Sequence, residues 1–135
     1  MGLTNEERNI IVSLEIDKSD RFMKQADEMV THEYWDLAAT RYYYTCYHAV
    51  QALFIKNGLS CKTHRGMINM FNLHFVKTEL VSMEIGSYFA RMEQLREQAD
   101  YNCNYDVTER EILEIAPNAK AIVGTVKKLI AVDGK

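Results

Sequence analysis

A chain of 135 residues with one proline and six glycines has few places to stop a helix. The breaks those residues mark separate long segments in which apolar side chains recur at threes and fours, the period of a helix buried along one face. No alternating strand pattern competes, so the reading is all-α.

Thr4 followed by Glu7 has capping-box spacing, and behind it Ile10, Ile11, Leu14, Phe22, Met23, Ala26 and Val30 predict a first helix running to about Val30. A second helix, from near Glu33, carries Trp35, Ala39, Tyr42, Tyr43, Cys46, Val50, Leu53 and Phe54. It ends at Asn57-Gly58, where glycine tolerates a left-handed cap, and is read as the most buried of the set. Thr63 caps a short third helix that turns Met67, Ile68, Met70, Phe71, Phe75 and Val76 inward. A fourth, from about Ser82, presents Ile85, Phe89, Met92, Leu95 and Ala99 and dissolves at Asn102-Cys103-Asn104. Thr108 with Glu111 opens a fifth, whose stripe is Ile112, Ile115, Ala119, Ile122, Val126 and Leu129, and which Pro117 is expected to kink or restart. Connections this short force neighbours antiparallel, which predicts a five-helix up-and-down bundle with the short third helix laid across one end. With no candidate linker, residues 1–135 read as one domain.

Hydrophobic residues make up 47% of the chain and charged residues 26%, the balance of a soluble folded protein. The apolar runs are too short for a membrane span, and the opening MGLTNEERN lacks the basic and then apolar regions of an export signal. Cys46, Cys61 and Cys103 are odd in number and no two stand two residues apart, which argues for reduced thiols in a cytoplasm rather than a disulfide framework or zinc knuckle.

The charge is unevenly spread. Between Leu37 and Thr78 there is no Asp or Glu, while Arg41, Lys56, Lys62, Arg65 and Lys77 give a net charge of +5, with His48, His64 and His74 beside them. The remaining residues hold 11 of the 16 basic and all 19 acidic groups. A basic block interleaved with Tyr42, Tyr43, Tyr44 and Tyr47 suits a phosphate-bearing ligand with stackable bases. It also suits a buried second helix, from which acids are excluded whatever the function.

Several chemistries lack their residues. No Glu has a His three positions on, as a di-iron bundle requires, and Glu28 with His32 has the spacing of a solvated ion pair, so neither metal nor cofactor is expected. There is no glycine-rich phosphate loop and no Gly-x-Ser-x-Gly elbow. Cys46 and His48, two apart, lie on different helix faces, which leaves Cys46 as core.

Three segments together resemble the HEPN domain family, in particular its small stand-alone prokaryotic members. The second helix reads Arg41-Tyr42-Tyr43-Tyr44-Thr45-Cys46-Tyr47-His48-Ala49, similar to the family's Arg-x-Tyr-Tyr-x-x-aromatic-His-Ala signature. Gly58-Leu59, then Lys62-Thr63-His64-Arg65-Gly66, then Phe75-Val76-Lys77 resemble its Gly-Leu, Lys-Thr-His-x-Gly and Phe-Val-Lys elements in order. Leu95-Arg96-Glu97-Gln98-Ala99-Asp100-Tyr101 resembles the Leu-Arg-x-x-Ala-Asp-Tyr close of the fourth helix.

The resemblance implies a five-helix bundle, usually a homodimer, often encoded beside a minimal nucleotidyltransferase and associated with toxin-antitoxin or other defence systems. It also implies a metal-independent ribonuclease motif, an Arg followed four to six residues later by His. Here Arg96 stands at the arginine, but Tyr101 lies five residues on and no histidine follows His74. A phenol with an ordinary pKa of about 10 is a poor substitute for an imidazole near about 6.5 as a neutral-pH base.

Arg96 and Asp100 are one helical turn apart, so two roles are open: a structural pin with Tyr101, or an anion cleft in which Arg96 is helped by Arg41, Tyr44, His48, Lys62, His64 and Arg65. The sequence-level expectation is a dimeric bundle that binds a nucleotide, RNA or a nucleotidyltransferase. The alternatives are a ribonuclease in which Arg96 works with His48 or His64, and a purely structural oligomerisation module.

Overall fold

The computed structural model describes residues 2–133. Helix α1 spans Asn5–Thr31, α2 Trp35–Lys56, α3 His64–Phe71, α4 Met83–Tyr101 and α5 Glu109–Asp133, and a π-helical turn, Asn72–Val76, continues α3. No strand occurs among the described residues. The all-α, five-helix expectation is met, and among the described residues no helix is long and apolar enough to cross a membrane.

The ends follow local chemistry. The Thr4 hydroxyl accepts from the Glu7 N–H at 3.0 Å, and the Glu7 carboxylate accepts from the Thr4 N–H at 2.8 Å, which completes the capping box. Thr63 and Ser82 cap α3 and α4 in the same way through the Gly66 and Ile85 amides. Gly58 closes α2 at φ 73°, with the Leu59 N–H donating to the Phe54 carbonyl at 2.8 Å. The same wrapping ends α1, but there Glu33 takes the left-handed position at φ 61°, and the Tyr34 N–H reaches back to the Met29 carbonyl at 2.9 Å. The sequence carries no glycine to announce that turn, so the second helix begins two residues later than predicted.

Helix α2 is the centre. It packs on α1, α4 and α5, and Tyr42, Tyr43, Cys46, Val50, Leu53 and Phe54 are all sealed from solvent. The Asp36 carboxylate accepts from the Val107 N–H at the start of α2, and the Cys46 thiol meets the Ala119 carbonyl farther along, so α2 and α5 run parallel. Thr40 and Asp100 meet near the start of α2 and the end of α4, which makes those two antiparallel.

Two expectations are corrected. Ile10 and Leu14 face outward, 56% and 61% exposed, while Val12, Ser19 and Ala26 are buried. At about 100° per residue, positions 10 and 14 sit roughly 200° from position 12, on the opposite side of the helix. The buried residues repeat every seven, the seam of a close helix pair, and Ser19 joins it because its hydroxyl donates to the Thr45 carbonyl at 2.7 Å. Pro117 does not restart the fifth helix, because α5 runs unbroken from Glu109 to Asp133 with Pro117 exposed inside it.

Candidate functional site

The second, third and fourth helices meet in an aromatic cluster. Tyr43, Tyr44, Tyr47 and His64 place their rings with centroids 5.1–6.2 Å apart. Spacing on α2 explains the three tyrosines, since positions 43, 44 and 47 share one side of a helix. His64 arrives from a tight turn. A side chain at Gly66 would come within 2.6 Å of Cys61 Sγ and 2.8 Å of Thr63 Oγ1, so only glycine allows the chain to fold back so closely before α3. His64 Nδ1 then lies 2.7 Å from the Tyr43 hydroxyl.

Arg96 closes the cluster from α4. Its guanidinium carbon lies 5.4 Å from the ring centroid of Tyr43, 5.9 Å from that of Tyr44 and 5.7 Å from that of Tyr101. It hydrogen-bonds Glu93 one turn back and stands 3.5 Å from Asp100 one turn on. Asp100 in turn accepts from the Thr40 hydroxyl at 2.8 Å, which ties α4 to the start of α2. Arg96 is only 3% exposed, and its Nε is buried without a hydrogen-bond partner among the described residues.

Burial alone would lower the Arg96 pKa, but the hydrogen bond and charge of Glu93 outweigh it and the value rises. Burial pushes the Glu93 carboxyl up to about 7, with its hydrogen bond to Glu97 acting in the same direction and Arg96 opposing. Glu97 moves the other way, held below the usual carboxylate range chiefly by the hydrogen bond from Glu93. His64 is lowered by burial and then by the Arg96 charge, which leaves it a neutral imidazole at neutral pH. Burial, followed by the Glu93 charge, raises the Tyr43 hydroxyl, so it remains protonated.

Folded Glu93 keeps its proton up to about pH 7, whereas an unfolded glutamate releases it near 4.5, so the native state binds the extra proton between those values. Its contribution to stability is therefore full below about pH 4.5 and is lost as pH rises through about 7. His64 pulls in the opposite direction because its native pKa is lowered. The informative quantity is thus the difference between wild type and Glu93→Gln in urea melts at pH 5 and pH 8. Wild type is expected to lose stability relative to Glu93→Gln across that range, and parallel curves would show that Glu93 is ionised throughout.

Of the residues singled out from sequence, Arg96, Asp100, Tyr101, Tyr44 and His64 are brought together, with Arg65 on the adjoining rim. Arg41 and His48 are not. Arg41 lies over the Phe22 ring at 4.3 Å, and His48 Nδ1 is 2.7 Å from a Glu15 carboxylate oxygen, both on the α1 side of α2. Lys62 is exposed in the turn before α3. Sequence reasoning missed Glu93, Glu97 and the role of Tyr43. Glu93 was legible as a carboxylate one turn from Arg96, but Tyr43 looked like any other apolar-face aromatic. Among the described residues no three His, Cys, Asp or Glu side chains converge as metal ligands.

The chain is thus an up-and-down helical bundle whose fourth helix buries an arginine between two carboxylates, under a tyrosine and histidine layer from α2 and α3. The sequence model of the HEPN domain family matches residues 12–129, nearly the whole bundle, and the chain belongs to that family. It is similar to a protein named "Putative toxin" from Methanocaldococcus jannaschii, 24% identical over 115 residues that cover 85% of this chain and 78% of the relative. A UPF0332 protein of Thermotoga maritima is 31% identical over 108 residues, covering 80% of this chain and 82% of the relative. A second Methanocaldococcus jannaschii protein named "Putative toxin" is 33% identical over 93 residues, covering 69% of each.

Proposed function

We propose that this HEPN protein is a toxin-class, homodimeric RNA-binding bundle in which Arg96 organises the site from below and the exposed groups around it meet the ligand. The burial of Arg96 carries this reading. A guanidinium so enclosed, with carboxylates on two sides, is a poor direct phosphate ligand, because its charge is already answered. Arg65 is exposed at the rim of an open groove beside Tyr101, where a phosphate can reach it. The outward Ile10 and Leu14 on α1 offer an apolar face for a second copy. By the family resemblance, a nucleotidyltransferase is the protein partner to seek by co-purification.

The test is titration of labelled single-stranded RNA into wild type and Arg65→Ala, with light scattering on the same samples. Wild type is expected to bind, more weakly as salt rises because phosphate contacts release counterions, and Arg65→Ala to bind less without a change in its melt. A mass of 15.7 kDa at micromolar concentration would overturn the dimer, and no binding at low salt would overturn the RNA reading.

One observation favours a second reading. His64, neutral at neutral pH and in contact with the Arg96 cluster, is better placed to act as a general base than His48, which is tied to Glu15. RNA cleavage by wild type that is lost in His64→Ala would put the substituted ribonuclease first.

A further inference from the structure

Besides Arg96, α4 carries two carboxamides, Gln94 and Gln98, four residues apart and so on one face, and a third, Asn102, stands at the cap just past its end. With Arg65, Glu97 and Tyr101 they line an open groove of about 390 Å³. Tyr101 is fixed from within, because one side of its ring lies over the Arg96 guanidinium, which Glu93 and Asp100 hold in place. The residue is 78% exposed, so the rest of the ring faces the groove side and solvent. A pre-placed ring beside an array of amide donors and acceptors has the chemistry that recognises a nucleobase, which offers a π-face and a hydrogen-bonding edge.

We propose that this groove is a base-reading subsite for adenine in single-stranded RNA, with Tyr101 as stacking platform, Gln94 and Glu97 reading the base edge, Arg65 taking the adjoining phosphate, and Arg96 a positioning residue beneath Tyr101. The inference rests on the RNA-binding reading above and adds the base.

Three constraints converge on adenine. The Asn102 amide donates to Gln98 Oε1 at 2.8 Å, which holds the Gln98 carboxamide in place and leaves its amide N–H groups free to donate. Gln94 forms no side-chain hydrogen bond among the described residues, so it offers the donor and acceptor pair that matches the adenine N7 acceptor and N6 amino group. Glu97 places an acceptor-only carboxylate in the groove. It favours bases that present an amino group over uracil, and among these guanine is set apart by O6, a second acceptor beside N7 that does not match the Gln94 donor and acceptor pair, which leaves adenine and cytosine. Between the two amino bases, the larger purine covers more of the tyrosine ring.

The experiment is fluorescence anisotropy with labelled eight-nucleotide oligo(rA), oligo(rC) and oligo(rU), and with ATP as competitor. Wild type is expected to prefer oligo(rA) over oligo(rU) by about tenfold or more, since a bidentate base contact discriminates by about 1–3 kcal/mol. Tyr101→Phe keeps the ring and is expected to retain affinity, whereas Tyr101→Ala loses it by about tenfold, the scale of one base–aromatic stack. Gln94→Leu and Glu97→Gln are expected to narrow the preference for oligo(rA), and because Glu97 also accepts from buried Glu93, melts of both variants are followed in parallel to separate lost base reading from lost stability. RNA binding with equal affinity for the three oligomers would overturn the subsite and leave the RNA reading standing. Binding to none of them would overturn both. Competition by ATP at the same nucleotide concentration would keep the adenine subsite and overturn RNA as its source.

Discussion

Arg96→Ala is expected to destabilise the bundle by about 3 to 5 kcal/mol, because it strips the shared partner from buried Glu93 and from Asp100 while leaving both carboxylates in place. The loss is pH-dependent. Glu93 can escape an unpaired charge by keeping its proton, and burial has already pushed its pKa up to about 7, so the damage is smallest in mild acid and greatest above neutrality. Arg96→Lys keeps the charge but not the planar fork that spans Glu93 and Asp100, and it is expected to fall between wild type and Arg96→Ala. Adding Glu93→Gln to Arg96→Ala is expected to recover part of the loss, because a neutral amide replaces the orphaned acid. Urea melts at pH 5 and pH 8 on the four proteins check this. A single Arg96→Ala melt that barely moves at pH 8 would show that the arginine holds nothing together.

The second large effect is expected at Leu53. Its side chain is sealed from solvent on the helix that touches three others, so Leu53→Ala removes buried methyl groups and leaves a cavity that the surrounding helices cannot readily close. The expected cost is about 2 to 5 kcal/mol. Leu113→Ala is the matched control, because Leu113 is the same residue type facing outward on α5, 61% exposed, and its cost is expected to stay within about 0.5 kcal/mol. Thermal or urea unfolding of the two variants side by side decides the matter, and equal losses would mean that α5 is rotated from the orientation described.

Much of the bundle was legible because helix period, caps and breaks are local. Thr4, Thr63, Ser82 and Thr108 announce their helices within four residues, and each cap is made by the expected hydroxyl. The phase of α1 was not local. Ile10 and Leu14 share a face as surely as Val12, Ser19 and Ala26 do, and what selects between the faces is the small-residue seam that α2 can approach closely. The site was half legible for a related reason. Arg96, Asp100 and Tyr101 lie within one helical turn and a half, so their meeting follows from spacing alone. Arg41 and His48 share a sequence motif with Tyr44, but whether a side chain on α2 turns toward α4 or toward α1 depends on the packed helices, and α1 claimed both through Phe22 and Glu15. Tyr43 was hidden because a buried aromatic and a buried aromatic that orients a histidine look the same until the histidine is placed.

The three cysteines lie at three depths: Cys103 open on the surface, Cys61 half-covered beside the turn into α3, and Cys46 enclosed between α2 and α5. Burial raises the Cys46 thiol far above the ordinary range, so it is shielded both by lack of access and by lack of thiolate. The chain thus contains its own graded chemical clock. An alkylating reagent records surface encounter at the first thiol, local opening of the turn at the second, and parting of α2 from α5 at the third, so the order of modification reads out which layer of the bundle loosens first.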